Sequence, residues 1–329
     1  MTRVAAVDCG TNSIRLLVAD VDTATATQVD LDRRMEIVRL GQGVDRTGRL
    51  APDALARTLA ALAGYSHRAS ALGVERTRVI ATSATRDAAN RDDFVGGVVE
   101  VLGVPPEVVT GDEEARLSFT GATRALPGDV PGPYLVVDIG GGSTELVLGS
   151  AGRTGESAGA SADGPGDGAG GGTADVTAAV SVDIGCVRLT ERHLHDDPPT
   201  AEQVAAAVAD IEAGLDRAAT AIPLRRARSL VGLAGSVTTV AGIALDLPEY
   251  DAERIHHSRV SAADVRAVTE RLMSSTHAER AAIPVMHPGR VDVIGAGALV
   301  LHRIVERVGL PEVVVSEHDI LDGIAWSLV

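Results

Sequence analysis

The chain has 329 residues, room for two packed domains, and its 45% hydrophobic residues with only 2% aromatics mean a core of Val, Leu, Ile and Ala. A net charge of −15 argues against a general nucleic-acid binder, which needs a basic face, and the complete lack of Lys excludes the phosphate-loop lysine of Walker-type NTPases. No apolar run is long enough to span a membrane, Cys9 and Cys186 make no disulfide framework, and a strand begins too early to leave room for a signal peptide, so the expected location is cytoplasmic.

Residues 4–8 and 14–20 read as the two strands of a hairpin, and 28–40 as further sheet edge. Leu55, Leu59 and Leu62, spaced four and three apart, predict a helix over 52–72. A buried strand at 78–81, a helix over 84–102 closed near Gly103 and Pro105, a strand at 107–109 and a helix starting at Gly111 complete the first half. Residues 127–133 hold three prolines and two glycines and divide the chain into expected domains of 1–126 and 127–329. The second half restarts with strand, glycine turn and strand. Residues 151–175 have almost nothing to bury and are expected to be a flexible insertion before a strand near 180–184. Helices at 200–221, 234–244, 261–273, 291–308 and 319–329 follow, with strands at 229–233 and 313–315. The last helix is expected to return to the first domain. Strands alternating with helices in both halves make the chain α/β.

One motif occurs twice. Val7-Asp8-Cys9-Gly10-Thr11-Asn12-Ser13 and Val137-Asp138-Ile139-Gly140-Gly141-Gly142-Ser143-Thr144 each follow an apolar run and lead into another. An Asp at the end of a buried strand has no packing purpose, and a glycine turn lets backbone N–H groups approach an anion. Gly10, Thr11, Asn12, Ser13, Gly140, Gly141, Gly142, Ser143 and Thr144 are therefore candidate phosphate contacts. Tight hairpin turns use the same residues, although three consecutive glycines exceed what a two-residue turn needs. Asp8, Asp138 and Glu145 flank the two turns as candidate Mg²⁺ carboxylates, and turn capping is the alternative. Asp112, Glu113 and Glu114 open a helix, where acidic side chains suit the dipole; one of them is also a candidate general base for water. Arg86, read in the first turn of its helix, is electrostatically misplaced there, and a bound anion would relieve it. Gly235 and Ser236 begin another helix after a strand, a further anion cradle.

These segments together resemble the exopolyphosphatase / guanosine pentaphosphate phosphohydrolase (Ppx/GppA) family of the actin-like superfamily, and look most like its short, two-domain actinobacterial type. The resemblance extends through residues 185–191, 232–239 and 315–316 and covers essentially the whole chain. It implies two ribonuclease-H-like domains flanking a cleft and Mg²⁺-dependent hydrolysis of the terminal phosphoanhydride of inorganic polyphosphate. It also implies Glu114, directly before Ala115-Arg116-Leu117, as the catalytic glutamate, with metal carboxylates at Asp8, Asp138 and Glu145 and phosphate contacts from both turns and Arg86. Three features depart from the family pattern: the 151–175 insertion, Ser236 in place of a more usual Thr, and Glu317-His318-Asp319 in place of a glycine-rich ending. Guanosine pentaphosphate is the alternative substrate; an actin-like kinase and a non-catalytic nucleotide or polyphosphate sensor are the alternative functions. The expected assembly is a homodimer that binds neither nucleic acid nor membrane.

Overall fold

Two mixed β-sheets organise the computed structural model, which describes residues 1–151 and 175–329. The expected flexible insertion falls almost wholly outside the described residues. The first half runs β1 (Thr2–Cys9), β2 (Ser13–Asp22), β3 (Thr27–Ile37), α1 (Val44–Thr47), α2 (Pro52–Ala71), β4 (Arg76–Ala81), α3 (Ser83–Asp87), α4 (Arg91–Leu102), β5 (Glu107–Val108) and α5 (Gly111–Thr123). The second runs β6 (Tyr134–Ile139), β7 (Thr144–Ser150), β8 (Asp175–Val182), α6 (Cys186–His193), α7 (Ala201–Ala221), β9 (Ser229–Leu233), α8 (Ala234–Ala244), α9 (Ala252–Ile255), β10 (Arg259–Ser261), α10 (Ala262–Ser274), α11 (His277–Ala281), α12 (Ile294–Val308), β11 (Glu312–Val315) and α13 (Ile320–Trp326).

The two sheets share one plan. The first has the order β3-β2-β1-β4-β5 and the second β10-β11-β9-β6-β7-β8. In each, three antiparallel strands come first and two parallel strands extend the other side, the ribonuclease-H-like order, and β10 adds a sixth, antiparallel edge strand to the second sheet. The second and third strands of each sheet even share a register shift, at Val18/Ala19 and at Leu148/Gly149.

Alternation along the strands sets what each face meets. Ala5, Val7 and Cys9 pack under Leu62 and Tyr65 of α2 and Phe94 of α4. Val4 and Ala6 face the other way, onto Ile320, Leu321 and Ile324 of α13. In the second sheet, Leu135, Val137 and Ile139 meet Ile211 and Leu215 of α7 and Val240 of α8, while Val136 meets Ala115 and Phe119 of α5. Burying each such aliphatic or aromatic side chain contributes ~1.5–3 kcal/mol. The same parity puts Asp8 on the α13 face and Asp138 on the α5 face. The last helix thus covers the first sheet, and α5 covers the second although it precedes the 127–133 segment. The two helices cross in backbone contact: a Cβ on Gly121 would lie 1.8 Å from the Asp319 carbonyl oxygen, and one on Gly323 would lie 2.0 Å from that of Leu117.

The single helix expected over 84–102 is two helices, α3 and α4. Asn90 explains the break. Its Oδ1 accepts from Leu50 N at 2.8 Å and its Nδ2 donates to Leu50 O at 3.2 Å, which draws the chain out of helical register. Arg86 consequently sits in the last turn of a five-residue helix, where a cation is electrostatically at home, so the expected misplacement does not exist. The helix α6 begins where the sequence offered only a strand ending near 184.

Candidate active site

The duplicated motif folds twice into the same turn. Gly10 N donates to Ser13 O at 3.0 Å, and Gly140 N donates to Ser143 O at 3.0 Å. Carbonyl groups of both turns are drawn away from the space between the sheets. Thr11 O accepts from Gly41 N at 2.8 Å, and Asn12 O from Val38 N and Arg39 N at 3.1 and 2.9 Å. In the second turn, Gly140 O accepts from Cys186 N, and Gly141 O from Val187 N, both at 2.9 Å. With their carbonyls committed, the amides of Thr11, Asn12, Gly141 and Gly142 have no acceptor among the described residues. The turns also touch: a Cβ on Gly142 would stand 2.5 Å from Ser83 Oγ and 2.9 Å from Thr11 Oγ1. Two sets of unpaired donors converging on one space form an anion cradle.

The carboxylates around that space differ by sheet. Each first strand pairs its Asp with a defined partner on the second: Asp8 with Arg15, Asp138 with Glu145. Arg15 donates to Asp8 Oδ2 from Nε at 3.0 Å and from Nη2 at 2.7 Å, and its Nη1 bonds Asp319, the N-cap of α13. Burial still raises the Asp8 carboxyl above its ordinary value, with Arg15 opposing. Asp138 has no such cation in contact; Ser118 of α5 donates to its Oδ2 at 2.7 Å. Burial pushes Asp138 up to about 6. Glu145, 1% exposed, lies behind it and accepts from Ser181 at 2.6 Å. Burial and then the Asp138 charge raise its carboxyl too.

Glu114 enters from α5, whose start Thr110 caps by accepting from Glu113 N at 3.2 Å. Of the three acidic residues at this helix start, only Glu114 is buried and lines the cleft; Asp112 pairs with Arg116 and Glu113 with Arg78. Arg86 Nη1 donates to Glu114 Oε2 at 3.1 Å and to Val109 O at 3.0 Å. Burial holds Glu114 well above the ordinary carboxylate range, Glu145 adds to this, and Arg86 opposes it. A carboxyl raised in this way is suited to take a proton from water.

The third cradle is the turn from β9 into α8. Ala234 adopts a left-handed conformation, φ 66°, and the turn places Gly235 and Ser236 on the cleft wall. Arg290, absent from the expected set, lies against Gly235: a Cβ there would fall 2.2 Å from its guanidinium carbon. Its guanidinium makes one hydrogen bond among the described residues, to Thr239 Oγ1 at 3.3 Å, and has no carboxylate partner there. A guanidinium left without an anion beside unpaired amides completes a phosphate-binding wall. Neither Arg15 nor Arg290 stands out in sequence. Arg15 is one strand residue among many, and Arg290 follows an ordinary Pro-Gly.

Asp8, Gly10, Thr11, Asn12, Ser13, Glu114, Asp138, Gly140, Gly141, Gly235 and Ser236 line one cleft. Five expected contacts do not, the first being Gly142, which is buried against Ser83 and Thr11. Thr144 is wholly buried and donates to Ile184 O at 3.0 Å, Ser143 is 1% exposed, and Glu145 itself is behind Asp138. These three brace the turn from within the sheet, because residues past the turn re-enter β7. Arg86 reaches Glu114 and not the turns. Asp8, Asp138 and Glu145 do not form a three-ligand metal set: among the described residues no three His, Cys, Asp or Glu side chains are grouped to hold an ion. Asp8 and Asp138 do suit a cation bound jointly with phosphate. Each lines the cleft, and each keeps Oδ1 without a partner among the described residues.

The model of the Ppx/GppA phosphatase family matches residues 17–329. The chain belongs to that family. The match begins just past the first turn, but similarity to individual Ppx/GppA relatives includes it. Exopolyphosphatase 2 of Mycobacterium tuberculosis is 49% identical over 339 residues, an alignment that covers 100% of this chain and 99% of the relative. A crystal structure described as an exopolyphosphatase-like protein superposes with a TM-score of 0.89 at 42% identity, covering 99% of this chain and 98% of the other. The Aquifex aeolicus Ppx/GppA enzyme superposes with a TM-score of 0.77 at 28% identity, covering 99% of each chain.

Proposed function

We propose that this protein is an exopolyphosphatase, releasing the terminal phosphate of inorganic polyphosphate by hydrolysis. The observation that carries the reading is the matched pair of turns, whose unpaired amides face one space with Glu114 beside it. The terminal phosphate sits between the amides of Thr11 and Asn12 and that of Gly141. Arg290 and the α8 turn take the oxygens of the next phosphate. Glu114 orients a water molecule and accepts its proton on the carboxylate, Arg86 holding that carboxylate in place. The water oxygen bonds to the terminal phosphorus, the bond to the bridging oxygen breaks, and the chain leaves one phosphate shorter. Asp8 and Asp138 would hold Mg²⁺, which supplies neutralisation of phosphoryl charge when bound. The family assignment favours hydrolysis over phosphoryl transfer to an acceptor; a kinase would release no free phosphate.

Glu114→Gln keeps the shape of the side chain and removes the base. Its phosphate release from polyphosphate is expected to fall by at least ~10²-fold while polyphosphate binding stays near the wild-type level. Near-normal turnover by this variant would remove Glu114 from the role. The same assay with and without Mg²⁺ tests the metal.

Guanosine pentaphosphate is the second reading, and one observation favours it. A cavity of about 460 Å³ opens beyond Arg290, lined by Met35, Tyr250, Val285, Met286 and Pro288, space that a linear phosphate chain does not require. Comparing phosphate release from the two substrates separates them. Among the described residues no helix is long and apolar enough to cross a membrane. A cytoplasmic homodimer completes the proposal, and sedimentation velocity tests the assembly.

A further inference from the structure

The second glycine turn is tied to the first half of the chain through one side chain. Arg188 lies in the first turn of α6, and its side chain is 11% exposed. Its Nε donates to Gly142 O at 2.7 Å, its Nη2 to Asp87 Oδ2 at 2.6 Å, and its Nη1 to Asp45 Oδ1. Its backbone N also donates to Gly141 O at 3.1 Å. Asp87 is the neighbour of Arg86, and Arg86 holds Glu114. The contacts therefore run without a gap from the Gly140–Gly142 turn through Arg188 and α3 to the carboxylate beside the cleft.

The rest of the same helix face supports this junction. Glu191 and Arg192 lie three and four residues beyond Arg188, on one side of α6. Glu191 Oε1 accepts from Gly43 N at 3.0 Å, and Arg192 donates to Asp45 from Nε and Nη2, both at 2.7 Å. A lone surface ion pair would carry little weight. Here a rigid guanidinium fork with each nitrogen on a different segment fixes geometry, which a flexible ammonium cannot do.

We infer that Arg188 is a positioning residue, setting the spacing between the turn that holds the terminal phosphate and the Arg86–Glu114 pair that directs water at it. Arg188 need not touch the substrate for this. The inference rests on the proposed hydrolysis, so its test has one arm that needs turnover and one that does not.

The first arm compares Arg188→Ala, Arg188→Lys, Asp87→Asn and the Arg188→Ala/Asp87→Asn double variant with wild type on polyphosphate. Misplacing the attack geometry is expected to lower kcat by about tenfold or more in Arg188→Ala with KM changed less than about threefold. Arg188→Lys keeps the charge without the fork and recovers only part of the loss. Asp87→Asn costs less, and the double variant is no slower than Arg188→Ala, because both substitutions break one chain of contacts. The second arm follows amide hydrogen exchange in residues 83–90 and 140–144 of the unliganded protein. Both segments are expected to exchange severalfold faster in Arg188→Ala, whether or not polyphosphate is the substrate. A wild-type protein that releases no phosphate from polyphosphate refutes the proposed function and leaves the exchange arm to decide on Arg188. A kcat within twofold of wild type, losses that multiply in the double variant, or unchanged exchange in the two segments overturns the inference.

Discussion

Asp8 and Asp138 occupy equivalent positions in two copies of one hairpin, yet their surroundings are opposite. The residue across the ladder from Asp8 is Arg15, and the residue across from Asp138 is Glu145. Asp138 therefore keeps its burial cost largely uncompensated, and its carboxyl is pushed up to about 6. In the unfolded chain it would titrate near ~3.9. Between those values the folded protein holds a proton that the unfolded chain has lost, so this group's contribution to stability declines as pH rises from ~4 to ~6 and is gone above that. A shift of about two units corresponds to ~3 kcal/mol at most. Asp138→Asn removes the charge and keeps an acceptor for Ser118. Its thermal midpoint is expected to exceed that of wild type at pH 8, with the difference closing as the pH approaches 4. A difference that does not narrow on acidification would mean that ionisation of Asp138 is not its source. A cleft that strains its own carboxylates in this way is prepared for a ligand that brings cations or hydrogen-bond donors with it.

At the scale of elements, α5 and α13 decide where the chemistry sits. Both carry site residues, Glu114 in the first turn and Ser118 midway along α5 and Asp319 as the cap of α13, and both use their apolar faces to cover a sheet. Their crossing is close enough that only glycine fits at Gly121 and Gly323. Gly121→Val is expected to destabilise the protein by ~1–3 kcal/mol or more, because the backbone of residue 319 must move. Gly128→Ala is the control, since nothing lies within 4 Å of the added atom. Urea midpoints compare the two, and equal midpoints would show that the crossing is loose. The acidic start at Gly111 marks α5 as a helix in the sequence, but not the sheet it covers. Both sheets offer an apolar face to a covering helix, and helical amphipathicity does not distinguish them.

On the scale of the whole molecule, two copies of one topology face each other and exchange their covering helices. The last helix supplies Ile320, Leu321 and Ile324 to the face made by Val4, Ala6 and Leu17. A chain ended at residue 318 is expected to bare that face and to lose cooperative thermal unfolding, read by circular dichroism. A truncated protein that still unfolds in one sharp transition would show that the first sheet does not depend on this return. The cleft between the copies also gathers Arg15 and Arg290 on its lining within a molecule of net charge −15. Local placement of Arg15 and Arg290, not overall charge, is what suits it to a polyanion.

The sequence by itself determined the repeat. An Asp closing an apolar run, a turn of glycine and small hydroxyl residues and a second apolar run are local signals, and each is set by strand burial and turn chemistry within a few residues. Local pattern made Glu114 legible only as one of three acids at a helix start; the family resemblance picked it out in the sequence, and burial separates it from Asp112 and Glu113 in the structure. Tertiary structure alone decided which side chains converge. Ser143, Thr144 and Glu145 follow the turn so closely that they read as part of it, but they re-enter β7 and point into the protein. Arg290, more than fifty residues after Gly235, reaches the cleft because a short turn at Pro288–Arg290 brings it against Gly235 at the start of α8. Arg188 joins the halves for the same reason. Turns form from neighbours in the chain, whereas convergence of side chains depends on how sheets and helices stack, and no local pattern records that.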